Sequence, residues 1–136
     1  MKRCNELEAQ VIALLLEGEH PVLAVLRKQF AVLQVVGREA TGVGFYTTFA
    51  LPMGIPVLLP RVSLKLGDVE AEIGGLHHGA GFLLYIERGR LHMLEGYSFE
   101  EPWPACITGF RLHYTSGEGR DWDGIRRLLG QFEARA

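Results

Sequence analysis

The sequence predicts one α+β domain: an N-terminal helical hairpin packed on a mainly antiparallel sheet of about six strands, with a C-terminal helix. Three observations predict it. Apolar residues recur at helical spacing from Leu7 to Phe30 and again from Trp122 to Phe132. Between those stretches the period changes to short alternating runs of β-branched and aromatic residues. Glycine makes up 17 of 136 residues, well above the usual share of about 7%, and falls between the apolar runs, where a meander needs tight turns. The length suits one domain over 1–136, with enough surface to bury for a core without metal or disulfide staples.

Asn5 and Glu8 have the spacing of a capping box, and Leu7, Val11, Leu14 and Leu15 form the apolar stripe of a first helix. Gly18 stops it. Pro21 suits the first position of a second helix, whose Val22, Val25, Leu26 and Phe30 face inward while Arg27 and Lys28 stay wet. Val32 to Val36 and Val43 to Leu51 read as strands joined through a Thr41-Gly42 turn. Pro52, Pro56 and Pro60 mark an irregular stretch or edge.

Val62, Leu64 and Leu66 alternate in one phase, and Val69, Ala71 and Ile73 in the other. One straight strand cannot hold both sets on one face. A two-residue Gly67-Asp68 hairpin turn resolves the conflict and sets Leu66 opposite Val69, Leu64 opposite Ala71 and Lys65 opposite Glu70. A bulge at Gly67 in one long strand is the alternative. Gly79 to Glu87 is apolar on both faces, as a central strand covered on both sides is. Arg88-Gly89 turns it into Arg90 to Tyr97, pairing Ile86 with Leu91, Leu84 with Met93 and Phe82 with Glu95. Gly109 to Thr115 is a late strand. Asp121 caps the closing helix, with Trp122, Ile125, Leu129 and Phe132 on one face.

Lysine and arginine total 14 against 16 acidic residues, a net charge of −2. No field draws in nucleic acid or an anionic membrane. Cys4 and Cys106 match no metal spacing and read as free thiols. No signal peptide or membrane span is expected, so the cytoplasm is the default location. No metal site and no cofactor is expected. His77-His78 points its rings apart on extended chain, and His92 and His113 lie on separate strands. Gly96-Tyr97-Ser98-Phe99-Glu100 lacks the last glycine of a nucleophile elbow. Gly42-x-Gly44 and Gly117-x-Gly119 are turns.

Glu95 is the candidate acid. In the register above it shares a face with Phe82, Leu84, Ile86, Leu91 and Met93, where desolvation raises a carboxyl pKa. A turn longer by one residue moves it to the other face, and a place at the strand end lets it reach water. The segment from Gly96 to Pro104 is dense in aromatic, acidic and proline residues. Its Tyr97, Phe99 and Trp103 suit a ligand or partner surface; the alternative is a loop pinned to its own domain, with Trp103 plugging the end of the core.

The run Gly79-Ala80-Gly81-Phe82-Leu83-Leu84-Tyr85-Ile86-Glu87, continued through Met93-Leu94-Glu95-Gly96-Tyr97 to Glu101-Pro102-Trp103-Pro104, is similar to a stretch of a family of small uncharacterised bacterial proteins. His20 to Leu23 and Thr41 to Phe45 extend the resemblance over most of the chain. It implies a bacterial cytosolic protein and hands over no catalytic residue. Small size, acidity and the aromatic loop also resemble bacterial immunity and antitoxin proteins in general type. The expected function is a non-enzymatic protein-binding module, an immunity-type inhibitor being one form of it. The alternative is a small-molecule binder or hydrolase with a pocket around Glu95, between the sheet and the N-terminal helices. The positive mean hydropathy also permits a homo-oligomer.

Overall fold

The computed structural model describes residues 3–132. Helix α1 spans Glu6–Leu15 and α2 spans Pro21–Phe30. Seven strands follow: β1 Gln34–Ala40, β2 Gly44–Ala50, β3 Leu64–Leu66, β4 Val69–Ile73, β5 Ala80–Glu87, β6 Arg90–Ser98 and β7 Phe110–Tyr114. Helix α3, Trp122–Leu129, closes the described chain. The α+β class and its antiparallel sheet are as the sequence predicts, with seven strands in place of about six.

The helix boundaries come from local chemistry. Asn5 accepts from the Glu8 amide at 2.9 Å and Glu8 accepts from the Asn5 amide at 2.8 Å, so the capping box forms. Pro21 takes the first helical position of α2, behind a His20 N-cap whose Nδ1 accepts from the Val22 amide. Asp121 caps α3. The end of α1 has no basic residue in its last turn, and distant donors satisfy its free carbonyls. Tyr114 donates to the Leu14 oxygen, Arg120 to those of Leu15 and Glu17, and Arg27 to those of Leu16 and Gly18.

The sheet runs β1-β2-β6-β5-β4-β7, with β3 also on β5 and every pairing antiparallel. Two bulges depart from the simple registers. Strands β3 and β4 do not form a hairpin. Both pair with β5, end to end, with Leu66 opposite Leu84 and Glu70 opposite Gly81. One extra residue is therefore inserted beside Gly67-Asp68, and it lets Leu66, Val69, Ala71 and Ile73 all face the core. Lys65 consequently lies opposite Tyr85, and Glu70 opposite Gly81 and His113. The second bulge is in β6. The Arg88-Gly89 turn forms with positive φ at both residues, the two-residue hairpin geometry, and pairs Ile86 with Leu91 as expected. The register then slips by one, so Tyr85 meets Met93, Leu84 meets Leu94 and Leu83 meets Glu95.

One face of the sheet, the inner one, carries Val35, Phe49, Ala71, Phe82, Leu84, Ile86, Leu91 and Leu94, all buried in a single core with α1, α2 and α3. Strand β5 is central but not covered on both sides. Its Leu83 and Tyr85 point to the opposite, outer face and are only half-buried.

Candidate partner-binding face

The outer face is built in rows by strand pairing, since side chains alternate along each strand and directly opposed residues share a face. One row runs Glu39, Tyr46, Glu95, Leu83 across β1, β2, β6 and β5. The next runs Gly37, Thr48, Met93, Tyr85, Lys65. A third sets Tyr97 opposite Gly81, with Glu70 and His113 beyond. Gly81 is needed there because a Cβ on it would sit 2.5 Å from the Tyr97 hydroxyl, so the ring lies across bare backbone. The centre of the face is thus Tyr46, Leu83, Tyr85, Met93, Glu95 and Tyr97, each half-buried by its neighbours.

Glu95 does not share the core face with Phe82, Leu84 and Ile86. The β6 bulge turns it outward, and the Tyr85 hydroxyl donates to its Oε1 at 2.7 Å. That hydrogen bond and the surrounding burial push the Tyr85 pKa up to about 12. Burial, with Glu70 and Glu95 nearby, also raises that of Tyr97. Both phenols therefore stay neutral donors at ordinary pH. Lys65 places its Nζ 4.9 Å from the centre of the Tyr85 ring, a cation–π contact. Beside Glu95 lies an open depression of about 460 Å³, bordered by Gly37, Arg38, Glu39, Tyr46, Thr48, Tyr85 and Met93. It is on the side of the sheet away from the helices, so a pocket between sheet and helices does not contain Glu95.

The chain matches no protein-family model, no curated protein and no solved structure.

The three aromatic residues of the Gly96–Pro104 segment separate. Tyr97 belongs to β6 and the outer face, and Phe99, 44% exposed, packs edge-on against it with centroids 5.7 Å apart. Trp103 goes to the other side. It packs edge-on against Phe45 at 5.5 Å, is half-buried against the core, and its amide donates to the Gly42 oxygen. The loop is held by Glu101, whose carboxylate accepts from the His77 and His78 amides at 2.7 and 2.9 Å. Those two bonds keep its pKa below the ordinary carboxylate value.

Among the described residues, no three His, Cys, Asp or Glu side chains come together as a metal would need. His92 is near Glu87 and His113 near Glu70, in separate exposed pairs. Burial, then Glu8, pushes the Cys4 thiol up to about 11, which leaves it protonated and a poor nucleophile. No helix among the described residues is long and apolar enough to cross a membrane.

Three buried polar side chains, Glu8, Gln29 and Arg120, carry weight that sequence reasoning gave to none of them beyond the Glu8 cap. Gln29 is fully buried. Its Nε2 donates to the Pro56 and Gly89 oxygens and its Oε1 accepts from the Leu91 amide, tying α2 to the proline-rich stretch and the β5–β6 turn. A helical glutamine beside an irregular loop is a weak signal in sequence, because its partners are up to 62 residues away.

Proposed function

We propose that the chain is a protein-binding module and that the outer face of its sheet is the docking surface. The observation that carries this reading is the composition of that face. An antiparallel sheet with one face on the core ordinarily turns polar residues to water. Here the centre is Tyr46, Leu83, Tyr85, Met93 and Tyr97 around the single carboxylate of Glu95, with exposed Phe99 at the rim. Tyrosine and methionine are enriched at protein interfaces, and tyrosine offers contact area at low entropy cost. An inhibitor of another bacterial protein, acting in the cytoplasm, is the form of this function that small size and two free thiols fit. A small-molecule or hydrolytic site at Glu95 has less support, because the depression beside it is open, Glu95 does not line it, and one carboxylate oxygen is already taken by Tyr85.

The test is a paired one. Wild type and the double variant Leu83→Ala/Tyr97→Ala, confirmed folded by circular dichroism, are used as bait under identical conditions, with cross-linking to map contacts. The expected result is a stoichiometric partner cross-linked to β2, β5 and β6 whose affinity falls by at least about thirtyfold in the variant, as loss of two central anchors implies. A partner that binds both proteins equally, or cross-links to the helices, would overturn the reading.

A further inference from the structure

We propose that Glu95, ringed by Tyr46, Tyr85 and Tyr97, receives an arginine side chain of the docked protein; this rests on the outer face being the docking surface. Tyr46 and Leu83 are directly opposite Glu95 on the two neighbouring strands, Tyr97 follows it by two residues on the same strand and face, and Tyr85 is hydrogen-bonded to it. Only Oε1 of that carboxylate has a hydrogen-bond partner among the described residues, which leaves Oε2 as an open acceptor. Glu39 stands opposite Tyr46, two strand spacings from Glu95 (about 9.5 Å), close to the Debye length of about 10 Å in roughly 0.1 M salt. Neither Glu39 nor Glu95 has an ion-pair partner among the described residues, whereas the outer Glu72 and Glu70 are matched by Arg111 and His113.

The other charges near the depression do not fill this role. Arg38 borders it, but both oxygens of Glu8 hold its guanidinium on the inner side. Lys65 lies over the Tyr85 ring, which shows that the aromatic surface already seats one cation. What remains is a half-buried acceptor with phenol rings around it and two carboxylates that no direct ion pair engages. A guanidinium matches that combination better than an ammonium does, because its plane stacks on a ring while its edge donates to the carboxylate. The same charge argues against a second copy of this chain as occupant, since two such faces would bring Glu39 and Glu95 against their equivalents.

The test titrates the isotope-labelled full chain with three probes: a blocked Gly-Arg-Gly peptide, the same peptide with neutral citrulline, and N-acetylarginine amide. The expected result is amide shifts confined to the strands around Tyr46, Tyr85 and Glu95, with millimolar affinity for the arginine peptide. Citrulline should weaken it at least about fivefold, and Glu95→Gln should do so by a similar factor. Equal shifts from the arginine and citrulline peptides, or shifts centred elsewhere, would defeat the proposal. So would micromolar binding of N-acetylarginine amide with no gain from the peptide, which would mark a small-molecule site. The two readings fail separately. A partner lost on Leu83→Ala/Tyr97→Ala but indifferent to Glu95→Gln leaves the docking face and removes the arginine; a partner indifferent to both removes the face itself.

Discussion

The carboxylate of Glu8 is 1% exposed and accepts four hydrogen bonds: the Asn5 amide, two from Arg38 at 2.8 and 3.0 Å, and the Thr47 hydroxyl at 2.5 Å. It therefore fastens α1 to both β1 and β2. Burial alone would raise its pKa, but the Arg38 and Thr47 bonds and the Asn5 amide outweigh that and hold it below the ordinary 4.5. A depressed folded pKa means that the stabilisation is complete above the unfolded value and is lost as pH falls through the folded one. Glu8→Gln should cost about 2–4 kcal/mol near neutrality, since it removes one member of a buried, hydrogen-bonded charge pair. The gap from wild type should then narrow below pH 4.5. Urea unfolding at neutral and acid pH measures both, and a gap independent of pH would refute the clamp. The capping half of this arrangement is legible in the sequence because Asn5 and Glu8 are three apart. The clamping half is not, because Arg38 and Thr47 lie 30 and 39 residues away. Gln29 is hidden for the same reason. Gln29→Leu leaves the Leu91 amide and the Pro56 carbonyl without the side-chain partner and the Gly89 carbonyl with the Leu58 amide alone, and should cost about 2–4 kcal/mol; a loss under about 1 kcal/mol by denaturant titration would show that water replaces it.

At the scale of elements, alternation reveals which residues share a face and is silent about partners. Leu66 and Val69 do share the core face, as the Gly67-Asp68 turn requires, yet they do so through a bulge in a strand that pairs with β5. Beyond the Arg88-Gly89 turn, one extra residue near His92 moves Glu95 to the other face without disturbing the buried Leu91 and Leu94. The first bulge shows in sequence as the change of phase at Gly67, which a hairpin turn explains equally well, whereas the second leaves no trace because Leu94 resumes the apolar pattern on its far side. The turn itself is legible, and its glycine can be tested for a packing role. Gly89 has φ 77° and a Cβ there would lie 2.2 Å from the Leu58 oxygen, while its own carbonyl accepts from Leu58 and Gln29. Gly42, at φ 91°, has nothing within 4 Å of where a Cβ would stand. Gly42→Ala should therefore cost about 1 kcal/mol of backbone strain, and Gly89→Ala about 3 kcal/mol or more from strain plus collision. Equal costs in urea unfolding would mean that the proline-rich stretch yields to the methyl.

For the whole molecule, the sequence pattern of β5 predicts cover on both sides, and the uncovered outer face follows from something that pattern omits. Tyr46, Tyr85, Met93 and Tyr97 shield one another across strands, so large side chains stay half-buried with no layer above them. The candidate site is legible only as Glu95, Tyr97 and Phe99; Tyr46, Leu83 and Tyr85 join them once strand order is known. On the inner side the assembly converges on Arg120. It pairs through two nitrogens with Asp68 at the β3–β4 bulge, donates to the Leu15 and Glu17 carbonyls that end α1, and lies between the Tyr114 and Trp122 rings at 5.5 and 5.6 Å. One guanidinium thus joins the first helix, the sheet irregularity, the last strand and the closing helix. Arg120→Ala should cost about 3–5 kcal/mol, because it strands the Asp68 charge and two helix-end carbonyls. Arg120→Lys should recover little of that, since an ammonium is too compact to fork to Asp68 while reaching both carbonyls and stacking on two rings. Denaturant unfolding of the two variants separates these contributions: near-complete rescue by lysine would reduce Arg120 to a point charge. Because this hub lies across the sheet from Glu95, amide shifts around Tyr46 and Glu95 should stay unchanged in whichever variant remains folded.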